Sequence, residues 1–244
     1  MINRKESSKK PFFFHPWKVS PREAIKIQEE LRKKLLLRPP KIPFKIIAAG
    51  DVSYSRSDEM TYGTFLVFAY PDLILVESGS AEGQATFPYI PGLLTFREGP
   101  VLLEAFSELH TKPDLILIDG QGIAHPRSMG IASHLGLLLD LPSIGCAKSR
   151  LIGTHQELGM GRGSHLPLVE GNRTVGMVLR TRDGVKPVFV SPGHKMDIKN
   201  SVKVVLSLGR GYRLPEPLRQ AHIFVNRLRA SGPGLRSGTI PVRN

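Results

Sequence analysis

The stretch Leu115-Ile116-Leu117-Ile118-Asp119-Gly120 decides the fold. Four consecutive apolar residues without polar alternation read as a strand buried on both faces, and such strands belong to sheets covered by helices on either side. The run ends on a carboxylate followed by glycine. Upstream, Phe44-Lys45-Ile46-Ile47-Ala48-Ala49-Gly50-Asp51-Val52-Ser53 is another apolar strand that reaches a carboxylate beside a glycine. Between the two, Tyr62–Tyr70 and Leu73–Ser78 are rich in strand formers and joined by a tight Pro71-Asp72 turn. Three strands with short connections predict an antiparallel meander.

Helical signals fill the gaps. Ser20-Pro21-Arg22-Glu23 is a capping box with proline at the first helical position, and it predicts a helix to about Leu37, before Pro39-Pro40. Leu93–Leu109 is helix-like, with Pro100 marking a kink or break. Arg127–Asp140 has helical apolar spacing, and Ser143–Cys146 reads as a further strand. Thr174–Arg180 and Pro187–Val190 predict a hairpin across Asp183-Gly184, followed by helices at about Asp197–Leu208 and Glu216–Arg229. The expected fold class is therefore α/β: a mixed central sheet, three antiparallel strands followed by parallel strands, with helices on both faces. This order is the one found in ribonuclease H-like nucleases, which on order alone is an analogy of fold.

The chain has 244 residues and 41% hydrophobic content, enough for a substantial core. No apolar run approaches the roughly 18 residues that span a bilayer, and the polar start lacks a signal peptide's apolar stretch. One cysteine, Cys146, excludes an internal disulfide framework and a cysteine-rich zinc site. A monomer of a reducing cytoplasm is expected. The net charge of +13 is unevenly placed: +8 in residues 1–41, −1 in 42–209 and +6 in 210–244. Basic ends around a neutral body suit a polyanionic partner, with carboxylates kept for metal in the centre; solvated tails read the same way by charge alone. The expected organisation is a basic extension over 1–19, one domain over 20–230 and a flexible basic tail over 231–244.

Asp51 and Asp119 each end a strand. Neighbouring strands lie about 4.8 Å apart, so two carboxylates at adjacent strand ends can share a divalent ion. Mg²⁺ takes one or two carboxylates plus waters and phosphate oxygens. Glu98, on the intervening helix, can reach the same place. Singly, each acid also reads as a turn or a solvated residue; the agreement of the three with one site favours metal.

At these residues the chain closely resembles the endonuclease V family of deoxyinosine-directed nucleases. The matching blocks are Ala49–Tyr54, Pro88–Gly92, Phe96–Glu98, Asp119–Arg127, Gly130–His134, Ile144–Leu151, Pro192–His194 and Gly211–Pro217, within roughly residues 22–228. The resemblance implies a ribonuclease H-like fold and Mg²⁺- or Mn²⁺-dependent cleavage of an inosine-containing strand, of DNA or RNA. It implies a cut at the second phosphodiester bond 3′ to the deaminated base, leaving a 3′-hydroxyl and a 5′-phosphate, in repair of deaminated adenine. Asp51, Glu98 and Asp119 fall on the family's acidic site residues. His194 would orient or deprotonate the attacking water, and Lys148 would neutralise charge on the phosphate. Without the resemblance, both read as surface residues.

Tyr89, flanked by Pro88 and Ile90 on a stiff loop, either fills the gap left by an extruded base or packs half-buried on the sheet. Gly120, Gln121 and Gly122 could let backbone amides read hypoxanthine, or form a plain loop. His125 would line this pocket or bind phosphate, and Arg127 would bind phosphate or start the next helix. Cys146 reads as buried filler. Two other classes stay open: a nucleic-acid binding protein without catalysis, and a ribonuclease H-like enzyme that recognises junctions or flaps.

Overall fold

The structure is a computed structural model; it describes residues 15–41, 43–55 and 59–231. The expected basic tail, and most of the basic extension, lie outside these residues. One eight-stranded sheet carries the fold, in the order β3-β2-β1-β4-β5-β8-β7-β6. Strands β1 (Ile46–Tyr54), β2 (Met60–Ala69) and β3 (Ile74–Gln84) form the antiparallel meander, and β4 (Leu115–Ile118) pairs parallel to β1. Next, β5 (Ser143–Ala147) pairs parallel to β4, while β8 (Val188–Pro192), β7 (Arg173–Leu179) and β6 (His165–Glu170) complete the sheet antiparallel.

Alternation along the central strands sends side chains to two cores. Ile47, Ala49, Leu115 and Leu117 face helices α4 (Ile198–Ser207) and α5 (Glu216–Ser231). Ala48, Ile116 and Ile118 face α2 (Leu94–Ser107) and α3 (Ile131–Leu139). Helix α1 (Pro21–Arg32) opens on the expected capping box: Ser20 accepts from the Glu23 amide, and the Glu23 carboxylate accepts from the Ser20 amide. Glycine at position 50 is a packing demand, since a Cβ there would lie 2.7 Å from the Phe65 ring. Its absence lets β1 run flat past Phe65 and deliver Asp51.

Several boundaries differ from the sequence reading. Helix α1 stops at Arg32 rather than Leu37, and the Leu36 amide is drawn off to His194 Nδ1 at 3.4 Å. Helix α2 runs through Pro100 without interruption. Helix α3 begins at Ile131, because residues before it fold back: the Gly130 and Ala132 amides donate to the Gly122 and Gln121 carbonyls. Strand β6 was not expected; Pro167 suits its place on the sheet edge. Residues 15–19 belong to the packed body. Trp17 stacks on His134 (5.8 Å between ring centroids), and a Cβ on Gly99 would come within 2.8 Å of its ring.

On the outer strand β3, Glu77 is held between the amides of His110 and Thr111, each at 2.8 Å. Burial opposes its ionisation, but these donors prevail and bring its pKa down to about 2. A depressed carboxylate stabilises the fold above its unfolded pKa, near 4.5, and loses that contribution as pH falls toward 2. Wild type should therefore melt above Glu77→Gln at pH 6, with the gap closing between pH 4.5 and 2. A gap that stays constant over this window would refute the assignment.

Candidate active site

The parallel pairing of β1 with β4 brings Asp51 and Asp119 to the same end of the sheet. Helix α5 crosses β1 on that side and lays His222 on Asp51, Nδ1 to Oδ2 at 2.8 Å. Ligand atoms of Asp51, Asp119 and His222 all lie within 4.8 Å of one another. Glu98 approaches from α2, on the other face, and is almost fully buried. Burial, then the charges of Asp51 and Asp119, push its pKa well above the ordinary value. Asp119 is raised as well, by burial and by Asp51, against the pull of Lys148. Lys148 Nζ meets Asp119 Oδ2 at 2.5 Å from the end of β5. Burial and mutual repulsion thus oppose ionisation of Glu98 and Asp119, and a bound cation would relieve both. The two aspartates, in reach of one point, offer the hard oxygen donors that a divalent cation takes, with the His222 imidazole beside them.

Beside the carboxylates opens a cavity of about 330 Å³ between the β4 and β5 ends and the α2–α3 layer. Tyr89, Ile90, Gly120, Gln121, His125 and Lys148 line it. Tyr89 is 68% exposed, so it is no core tyrosine. The Gln121 amide donates to the Ser149 carbonyl at 2.9 Å, and its Oε1 is buried with no hydrogen-bond partner among the described residues.

Other expected residues are placed differently. His194 does not join the carboxylates. Because β8 runs antiparallel to β5, the residues after Pro192 return to the start of β5, at the far end from Asp119. There His194 is buried, bonded through its amide to the Ser143 hydroxyl and through Nε2 to Asp140 (3.3 Å). The histidine at the carboxylates is His222, which the sequence reading missed. Its signal was the helical face Arg219, His222, Asn226 and Arg229, polar at spacings of three and four along α5.

His125 is buried and acts as an internal brace. Nε2 is paired with the Gly92 carbonyl, and Nδ1 accepts from the Arg127 and Met129 amides. Burial lowers its pKa to about 4, so it is neutral at pH 7 and does not serve as a phosphate-binding cation. Arg127 spans Gln28 and the Gly92 carbonyl, stiffening the turn behind Tyr89 instead of reaching for phosphate. Gly122 turns its amide to the Ser191 hydroxyl, away from the cavity, and Pro88 also stands outside the lining. Cys146 is buried, and burial pushes its thiol up, as inert filler requires.

A mixed sheet of this order, with Asp119 just past the end of β4 converging on Asp51, which lies inside β1 rather than at its end because pairing with β2 carries that strand on to Tyr54, defines a nuclease of the ribonuclease H-like class. The family model described as endonuclease V matches residues 28–223. An endonuclease V of Dehalococcoides mccartyi is 50% identical over 209 residues, 86% of this chain and 94% of the relative. One from Methanothrix thermoacetophila is 50% identical over 211 residues, 86% of this chain and 92% of the relative. Among solved structures, the Streptomyces avermitilis endonuclease V aligns with a TM-score of 0.84 at 40% identity, covering 88% of this chain and 95% of that one. Ciona intestinalis endonuclease V, solved with a 24mer DNA containing an inosine followed by a ribo-adenosine, aligns at 0.74 with 27% identity, covering 86% and 98%. The chain belongs to the endonuclease V family, and it is an endonuclease. No described helix is long and apolar enough to cross a membrane.

Proposed function

We propose that this endonuclease cuts strands carrying inosine at the second phosphodiester bond 3′ to the lesion, leaving a 3′-hydroxyl and a 5′-phosphate, and so serves repair of deaminated adenine. The supporting observation is the juxtaposition of a base-sized cavity with the Asp51, Asp119 and His222 cluster, with Lys148 shared by both. Asp51, Asp119 and Glu98 would hold Mg²⁺ or Mn²⁺. A bound divalent ion supplies charge neutralisation at the phosphate and makes water easier to deprotonate.

The chain's own groups do the rest. His222 Nδ1 is engaged by Asp51, which leaves Nε2 as the atom to accept a proton from the attacking water. The Asn226 amide donates to the His222 carbonyl at 2.7 Å and stands 3.4 Å from Nε2, a weak contact that the attacking water would displace. Lys148 Nζ, at the cavity lip, neutralises charge building on the phosphate. Hypoxanthine offers N1–H as a donor where adenine offers an acceptor, and Gln121, which lines the cavity, has a buried Oε1, with no donor among the described residues, that a turn of the side chain would present. The brace of Arg127 and His125 on Gly92 fixes the loop that presents Tyr89. Swinging a base out of a duplex leaves a gap, which an exposed tyrosine on a rigid loop can fill.

Matched DNA and RNA strands with inosine or adenine, incubated with Mg²⁺ or with EDTA, test the reading. Cleavage is expected of inosine strands alone, and only with metal. Equal cutting of the adenine controls would overturn it. In the same assay His222→Ala should lose roughly 10²-fold or more of the rate. His194→Ala should keep turnover per folded molecule while melting earlier, because it removes a buried, bonded ring.

A further inference from the structure

We propose that Tyr212 and Arg219 form a stacking platform for a nucleobase of the cut strand, on the 3′ side of the scissile phosphate. The direction rests on the function proposed above. The cavity is lined from the α2–α3 layer by Leu94, Thr95 and Ile131, whereas His222 reaches the carboxylates from α5, on the opposite face of the sheet. A strand that leaves its modified base in the cavity and passes the carboxylates toward its 3′ end crosses to the α5 side. There the connection between α4 and α5 carries Tyr212.

Tyr212 is 48% exposed, and the Arg219 guanidinium lies over its ring at 4.3 Å from the centroid. Neither partner is loose. Arg219 is gripped by Glu216 through two bonds, Nε at 2.7 Å and Nη2 at 2.6 Å, and Gln220 donates to the same carboxylate at 3.0 Å. The next residue, Arg213, donates to the Lys148 carbonyl at 2.5 Å, which ties the connection to the residue paired with Asp119. Arg219 is also one helical turn before His222, on the same face of α5.

A Tyr–Arg pair on a protein surface is ordinary. In this one the arginine is held in place by Glu216, it lies one helical turn from His222, and the residue after Tyr212 is bonded to the Lys148 carbonyl. A half-exposed ring backed by a guanidinium is a surface on which a base of a single strand can stack.

Filter binding in EDTA, with single-stranded inosine DNA shortened one nucleotide at a time from its 3′ end, tests the platform. Wild type should gain about 5- to 150-fold in affinity when one particular nucleotide beyond the second 3′ phosphodiester bond is added. An abasic residue there should remove the gain. Tyr212→Ala should also remove it, Tyr212→Phe should retain it, and calorimetric melts of both variants should match wild type. The same gain in Tyr212→Ala as in wild type would overturn the platform, as would a gain that survives the abasic substitution. Inosine preference is read separately, from inosine against adenine on the shortest strand, so a failure of the cavity reading is not mistaken for a failure of the platform.

Discussion

Asp119→Ala is expected to abolish cleavage, by at least about 10³-fold, in a protein that melts no lower than wild type. Metal-assisted charge stabilisation supplies several kcal/mol to phosphoryl chemistry, and each 1.36 kcal/mol is tenfold in rate. The stability side follows from the crowding of acids. Burial and the charge of Asp51 both penalise an ionised Asp119, and Glu98 feels the charge of each in turn. Removing one carboxylate relieves that repulsion. The partner left behind, Lys148, has a side chain 37% exposed, so water takes over its solvation at little cost. Asp119 is one of many residues lining the cavity, and Tyr89, Ile90, Gln121 and the rest stay in place, so binding of inosine strands in Ca²⁺ should persist. Single-turnover cleavage, a calorimetric melt and a binding isotherm check the three parts. Wild-type cleavage by the variant would remove Asp119 from the site.

Tyr89→Ala should slow cleavage of inosine in duplex DNA by about 10²- to 10³-fold and change single-strand cleavage little. Extruding a paired base costs a few kcal/mol, least where the base is already unpaired. A side chain that fills the gap recovers part of that cost only in a duplex. Tyr89 is 68% exposed, so truncation removes little buried surface and the melting temperature should hold. A core tyrosine would behave oppositely: truncation would cost about 3 kcal/mol or more, and activity per folded molecule would fall equally on both substrates. Equal losses on duplex and single strand would refute the wedge.

The contrast between His194 and His222 shows how far the sequence could be read. Strand identity, strand direction through β5 and the capping of α1 were legible, because local apolar spacing and turn chemistry encode them. Asp51 and Asp119 stood out as acids beside glycines on apolar strands, although Asp51 lies inside β1 and only Asp119 follows a strand end. Which end of the sheet a residue reaches is a property of strand direction. His194 follows a strand that runs against β5, so a plausible Pro-Gly-His turn lands at the wrong end. His222 sits in mid-helix on a polar face, which looks like a solvated surface until the helix is docked on β1. Gly122 and Arg127 were misread for a related reason: a glycine or an arginine declares what it can do, and only the packed neighbours show that its capacity is already used. Strand β6 was hidden by Pro167, a residue tolerated on an edge and disfavoured elsewhere.

Trp17 is the chain's only tryptophan, and it packs on Gly99, the residue after Glu98. Excited at wavelengths that tyrosine does not absorb, the protein therefore emits from one spot, flanked by the imidazoles of His15 and His134. A change in that emission reports whether residues 15–19 remain seated on α2, and it is silent about the sheet. Far-ultraviolet circular dichroism reports the helices and strands together. Coincident unfolding curves by the two signals would mark the N-terminal strap and the nuclease body as one cooperative unit; curves that separate would make the strap a detachable brace on the helix that carries Glu98.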